Sequence, residues 1–463
     1  MLFDEVPPFD IGLVILGAVL ATGILIKRGL ARCVVAMMLF VACLAPAYDL
    51  GGYPRETWLF PLQEHRSEAY LVLALSLLAG LVTQIRSRSL RDAGAPAMAL
   101  LLIGIYQGLL RIHHDTPAEG LETIAFAVFT VGVLMISLPV LVRRSVDRPR
   151  MLRAVLWADI AWIGAIMVQV AVDPSKLVMG NRFEGLDTYR FAGLTSNAQS
   201  AAIVFSISAV VSLWMAMYDP KQRYRVLSFA LACLNSVLLA WTGSRMGAIA
   251  LLLGMLLILR RRFARSLGWV AAAVLSGYGL YTLVADYGLS DVAARLTSTD
   301  DSGRWERLDI MLRDGLAHPM FGTGIYDVRA SENSYLLAFA AFGLGMLLLV
   351  FLLLAVSAWG CMALARASGR VLQYRAVVDL VIAFNVMYFV IALFEGIILA
   401  RVREAVVFML IFSSLSAALR RDYAARAGPP RTASRPSRSS AFARRPGGIL
   451  SRTQGALVSS GRR

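Results

Sequence analysis

Charge is what this sequence has least of. Of its 463 residues only 16% are Asp, Glu, Lys or Arg, against 58% that are hydrophobic, where a soluble chain carries about 25% charge. That deficit excludes a soluble globular protein. Histidine and cysteine are scarcer still, four of each. Cys33, Cys43, Cys233 and Cys361 all fall in apolar stretches, so none stands where an oxidising compartment would pair it, and no structural disulfide is expected. A zinc site needs clustered ligands. The one local cluster, His113-His114 in "RIHHDTPAEG", reads as a solvated loop, so no metal or other cofactor is expected. A nucleotide-binding glycine loop is missing too: Gly322 and Gly324 in "FGTG" follow no strand and read as a turn. The first apolar run lacks a basic n-region and a small-residue cleavage site, so it is expected to stay in the mature chain.

What the chain does have is apolar runs. About thirteen of them recur, most about 17 to 25 residues long and able to cross a bilayer as helices: 10–26, 30–47, 69–85, 94–110, 123–142, 154–172, 195–217, 226–241, 246–259, 267–284, 333–357, 376–394 and 404–419. The fold class is therefore all-α, a polytopic transmembrane helical bundle with a long, partly helical loop near 285–332. Its parts are a series of N-terminal spans (1–172), a core (173–419) with loops at 173–194 and 285–332, and a tail (420–463). The tail is rich in Arg, Ser, Pro, Ala and Gly. It cannot bury enough apolar surface to offset its ordering entropy, and a basic segment beside a membrane lies against anionic lipid.

Basic residues orient the bundle. With the N-terminus outside and the spans alternating, 32 of the 46 Lys and Arg fall on the inner side, as positive-inside topology requires. The net charge of +16 is then a topology signal and no sign of nucleic-acid binding. Asp159 and Asp379 lie inside spans near their inner ends, where snorkelling, or pairing with nearby Arg153 or Arg375, is expected.

Several arginines depart from the inner side. Arg182, Arg190, Arg245, Arg304 and Arg329 fall on the outer side among glycines and small polar residues, and Arg401 and Arg403, which follow Glu395, read as interfacial anchors. Guanidinium groups suit phosphate oxygens, being planar, bidentate and permanently charged. In "SGRWERLDIMLRDGLAHP" the positions Trp305, Leu308, Leu312 and Leu316 follow helical spacing, which predicts an amphipathic helix, ended by Pro319, that lies across the mouth of the bundle. Glu332 then stands just before Asn333 at the entry to a span. It is either a helix-entry acid favoured by the dipole or a carboxylate able to take a proton.

The ordered set "RFAGLTSNAQSAA" (190–202), "TGSRMGAIALLLG" (242–254), "SGRWERLDIMLRDGLAHPMFGTGIYDVRASENSYLLAFAAFGLGMLLL" (302–349) and Glu395 resembles the core of the O-antigen ligase and polymerase family. These are bacterial membrane glycosyltransferases that use undecaprenyl-diphosphate-linked glycans outside the cytoplasm. The resemblance implies that Arg190 and Arg245 hold the donor diphosphate. It further implies that Arg182, Arg304, Arg329, Asn333 and Glu395 contribute to substrate binding, a structural role being equally open for Arg304. Where the family commonly carries a histidine before the Asn, this chain has Glu332, the position of the acceptor-activating base. The implied partners are an undecaprenyl-diphosphate-linked oligosaccharide, a glycan or lipid A core acceptor, membrane lipids and other polysaccharide-assembly proteins, in a bacterial cytoplasmic membrane. Polymerisation of repeat units is the expected activity, with ligation onto lipid A core, or transport of a lipid-linked glycan, as the alternatives.

Overall fold

The computed structural model describes residues 8–27, 29–46, 54–85, 93–183, 186–260, 304–328, 333–368, 375–399 and 404–427. Apolar runs without internal charge become helices because a bilayer leaves each backbone group to be satisfied within its own segment. The first half comprises α1 (Pro8–Ile26), α2 (Leu30–Cys43), a short α3 (Phe60–Glu64), α4 (Arg66–Leu81), α5 (Ala95–His114), α6 (Pro117–Phe126), α7 (Val133–Val142) and α8 (Asp147–Val172). Helices α6 and α7 are joined through a π-helical turn, Ala127–Gly132, into one span. A hairpin of β1 (Val178–Phe183) and β2 (Leu186–Phe191) follows, then α9 (Ala198–Tyr218), α10 (Gln222–Trp241), α11 (Arg245–Leu259), α12 (Arg304–Ala317), α13 (Ser334–Ser368), α14 (Arg375–Ala392) and α15 (Glu404–Ala427).

Among the described residues eight helices are long and apolar enough to cross a membrane. Every expected span coincides with a helix except 267–284, which lies outside the described residues. So do Arg329, Glu332, Arg401, Arg403 and the tail beyond 427. Helix α15 runs on through Ala427, past the expected end of the last span at 419.

Antiparallel succession sorts the connections to two ends of the bundle. One end is basic, and its arginines are matched by carboxylates: Arg32 with Asp147 at 2.5 Å, Arg148 with Asp422 at 2.8 Å, Arg153 with Asp219 at 2.7 Å, and Arg260 with Asp379. Asp159 accepts from Asn235 Nδ2 at 2.8 Å. Arg153 thus pairs with Asp219 and not with the expected Asp159, while Asp379 also receives Arg260 from another helix. Partners on neighbouring helices are not visible in sequence distance.

The opposite end departs from expectation in four places. The stretch 173–194 is no plain loop but a 3₁₀ turn, Pro174–Leu177, and the antiparallel hairpin, with Arg182 opposite Asp187 and Arg190 opposite Met179. His113 and His114 belong to the last turn of α5, with only Asp115 and Thr116 between that helix and α6. His114 Nε2 lies 2.9 Å from Phe321 O.

Helix α12 forms where its periodicity predicts, but Trp305, Leu312 and Leu316 are exposed. Leu308, of the same stripe, does pack against the core, and the inward face is completed by Met311 and Gly315, the latter pressed against the Phe339 ring.

The fourth departure is in α13, which is not one straight span. Its backbone breaks at Gly343 (φ +74°, ψ −170°). The rings of Tyr335 and Phe351 stack at 5.9 Å, although sixteen helical residues would separate them by about 24 Å. The first arm (334–342) therefore folds back beside the second (344–368). A break inside an apolar segment exposes backbone groups at a cost of several kcal/mol each. Residues 319–324 cover this one: Thr323 N donates to Ala340 O at 2.9 Å, Gly324 N to Ala341 O at 3.0 Å, and Leu344 N to Pro319 O at 2.8 Å. The "HPMFGTG" turn is thus the plug of a broken helix.

Candidate functional site

Arg190, the penultimate residue of strand β2, is buried, only 6% exposed. Its Nε donates to Thr242 O at 2.9 Å. Next to it Phe191 stacks on Trp241, the last residue of α10, with centroids 4.7 Å apart and planes 11° from parallel. The N–H groups of Ala192 and Gly193 both reach Leu177 O. These contacts fasten the segment after β2 onto the turn that joins α10 to α11. That turn is tight because Gly243 takes φ +61°. Ser244 caps α11 by accepting from Gly247 N at 3.3 Å, which places Arg245 at the first helical position, exposed. Arg190 and Arg245, 55 residues apart in sequence, are thereby brought to one turn.

A second cluster surrounds the start of α13. Asn333 Oδ1 accepts from the N–H of Tyr335 and of Leu336 at 2.9 and 3.0 Å, while its Nδ2 donates to Leu393 O at 2.9 Å. Ser334 Oγ donates to Glu395 O at 2.6 Å and accepts from Ile397 N at 2.9 Å. Asn333 and the Glu395 turn are therefore stitched together, with Glu395 half-buried.

The two clusters share one end of the bundle. Helices α11 and α14 pack antiparallel, Arg260 meeting Asp379 at the basic end and Gly254 lying against Met387 higher up. Continued at about 1.5 Å per residue, that register brings Arg245 to the level of the Leu393–Glu395 turn.

The remaining candidates divide. Arg182 lies on β1 and Arg304 at the start of α12, while Arg329 and Glu332 fall outside the described residues.

Sequence reasoning passed over Thr242, Ser334 and Arg111. Arg111 is buried and holds Asp115 at 2.7 Å, Glu119 at 2.5 Å and the Tyr326 hydroxyl at 2.7 Å. It anchors Tyr326, two residues beyond the plug. The i, i+4 pairing of Arg111 with Asp115 is a signal the sequence offers; Thr242 and Ser334 are small hydroxyls of which nothing local marks the partner.

Residues 230–341 match the family model described as O-antigen ligase, and no curated protein matches the chain. The matched stretch contains the Arg245 turn, α12, the plug and the first arm of α13. It supports O-antigen ligase or polymerase-type glycosyltransferase activity in a multi-pass membrane protein. Over residues 230–341 this chain is similar to the O-antigen ligase family.

Proposed function

We propose that the protein transfers a glycan from undecaprenyl diphosphate to an acceptor hydroxyl at the extracytoplasmic face of a bacterial cytoplasmic membrane, polymerising repeat units of a surface or exported polysaccharide. The observation that carries this reading is the Arg190–Thr242 bond, which sets two guanidinium-bearing residues on one turn at the less basic end of the bundle. A cation at the first position of a helix opposes the dipole, whose N-terminus already bears positive partial charge. Such an arrangement suits a bound anion, and a diphosphate is the anion that a membrane-embedded transferase must hold.

The chemistry follows from charge. As the anomeric carbon–oxygen bond breaks, both electrons go to the diphosphate oxygen, and Arg190 and Arg245 stabilise the charge that gathers there. The acceptor oxygen forms the new bond on the opposite face of the sugar, inverting the anomeric centre, and its proton passes to the Glu332 carboxylate. Fixed guanidinium groups supply the positive charge, so this route calls for no metal. Asn333, the next residue after Glu332 in the chain, is bonded to the turn that carries Glu395. Positive-inside topology puts the paired arginines of the basic end in the cytoplasm, and the site on the far side.

Purified protein supplied with a lipid-diphosphate oligosaccharide should release free lipid diphosphate and lengthen the glycan. Glu332→Gln should slow turnover about 10²- to 10⁴-fold. Unchanged turnover in Glu332→Gln would remove the base while leaving the transferase, and absence of both products in the wild type would favour a transporter.

A further inference from the structure

Asp159 stands midway along α8, about 9 Å beyond Arg153, whose guanidinium is taken by both oxygens of Asp219. It is buried, and its one-carbon stem cannot carry the carboxyl group to water. A carboxylate at such depth must find a positive charge or be neutralised. The partner it has is uncharged. Asn235 of α10, fully buried, donates Nδ2 to Asp159 Oδ2 at 2.8 Å and to Leu231 O at 2.9 Å. A backbone carbonyl only accepts, so the Leu231 bond fixes which way the amide is turned, and both of its protons are used.

Two acceptor oxygens are left over. Asp159 Oδ1 and Asn235 Oδ1 are both buried and, among the described residues, neither has a hydrogen-bond partner. The Ser208 hydroxyl of α9, itself buried, faces the same carboxyl group. From α2 the Cys43 thiol comes within electrostatic reach of Asp159 and of Glu404, the first residue of α15. Neither of these brings a positive charge, and α7, which also packs on α8, carries no titratable residue.

We infer that Asp159 and Asn235 form an intramembrane binding site for one monovalent cation, a proton or a sodium ion, held between the two leftover oxygens. A proton there closes the carboxyl group and the amide into a ring, the amide N–H donating on one side and the carboxyl O–H on the other. A sodium ion takes the same two oxygens as ligands and adds the Ser208 hydroxyl. Either cation neutralises the carboxylate without a basic residue. Helices α8, α9 and α10 meet at this point, and α10 continues from Asn235 for about 10 Å to Thr242, the acceptor for Arg190. Occupancy therefore steadies the helix whose end holds Arg190, and the site stands whether or not the proposed reaction does.

Thermal unfolding of the purified protein in detergent, across a pH series in sodium chloride and in choline chloride of equal ionic strength, tests this. A folded state that binds a cation which the unfolded chain releases becomes less stable as that cation grows scarce. The wild type should therefore lose stability as pH rises in choline. Asp159→Asn, which keeps the shape and removes the ionisable oxygen, should lose most of that dependence. Recovery of the high-pH midpoint in sodium but not in choline identifies sodium as the cation, and no response to sodium identifies the proton. Identical pH and sodium profiles in the wild type and Asp159→Asn would overturn the site.

If Asp159→Asn does not fold, infrared spectra of wild-type protein with isotope-labelled aspartate carboxyls decide the matter. A protonated aspartate band at neutral pH marks the proton, and an aspartate carboxylate band that shifts with sodium marks the ion. Neither band would mean that buried water satisfies the two oxygens, and would overturn the inference.

Discussion

Ser334 is fully buried, and its hydroxyl bridges two segments that are sixty residues apart. It donates to Glu395 O and accepts from the N–H of Ile397, with Ile398 N at 3.4 Å. Ser334→Ala removes both functions and leaves buried backbone groups without that partner, at about 1–3 kcal/mol. Thermal unfolding of the purified variant should therefore begin at lower temperature, and an unchanged midpoint would show that the turn is held by its other bonds. At this scale the sequence reveals side-chain type but not company. Arginines on the less basic side announced themselves through permanent charge. Thr242 as the acceptor for Arg190 did not, because the group that accepts is a backbone carbonyl, which every residue has.

At the scale of the element, hydrophobic runs and glycine turns were legible, and the bend within α13 was not. The run 333–357 carries no charged residue, and hydropathy cannot distinguish one straight helix from two arms folded together. The signal was the pair of glycines in "FGLG" set against "FGTG" upstream. Gly343 takes a positive φ, and a β-carbon there would overlap the Met320 carbonyl; one at Gly322 would overlap the backbone of Ala341. Gly343→Ala meets both obstacles at once. It should cost at least about 1–3 kcal/mol for the strained backbone, with further loss from displacing the plug, read as lower folded yield and earlier unfolding in detergent. A variant as stable as the wild type would mean that the break is not required. Helix α12 teaches the complementary lesson: spacing located it and placed Leu308 inward, but the rest of the inward face is Met311 and Gly315, because a glycine lets Phe339 approach and leaves no mark on an apolar stripe.

For the whole molecule, composition sufficed to give the class, and the alternation of spans gave the sorting of connections to two ends. Convergence needed the tertiary register. Only the packing of α11 on α14, fixed at one end by Arg260–Asp379, brings Arg245 level with the turn that Asn333 and Ser334 hold. The account's central claim is that Arg190 and Arg245 serve one diphosphate, and a double-mutant cycle on the transfer rate tests it most directly. Arg190→Lys and Arg245→Lys keep the charge but lose the planar fork, and each should lower kcat/KM about 10²- to 10³-fold. Two groups acting on one anion are non-additive, so the double variant should fall no more than about tenfold below the slower single. Wild-type rates in the single variants, or a double variant slowed by the full product of the two effects, would contradict the account.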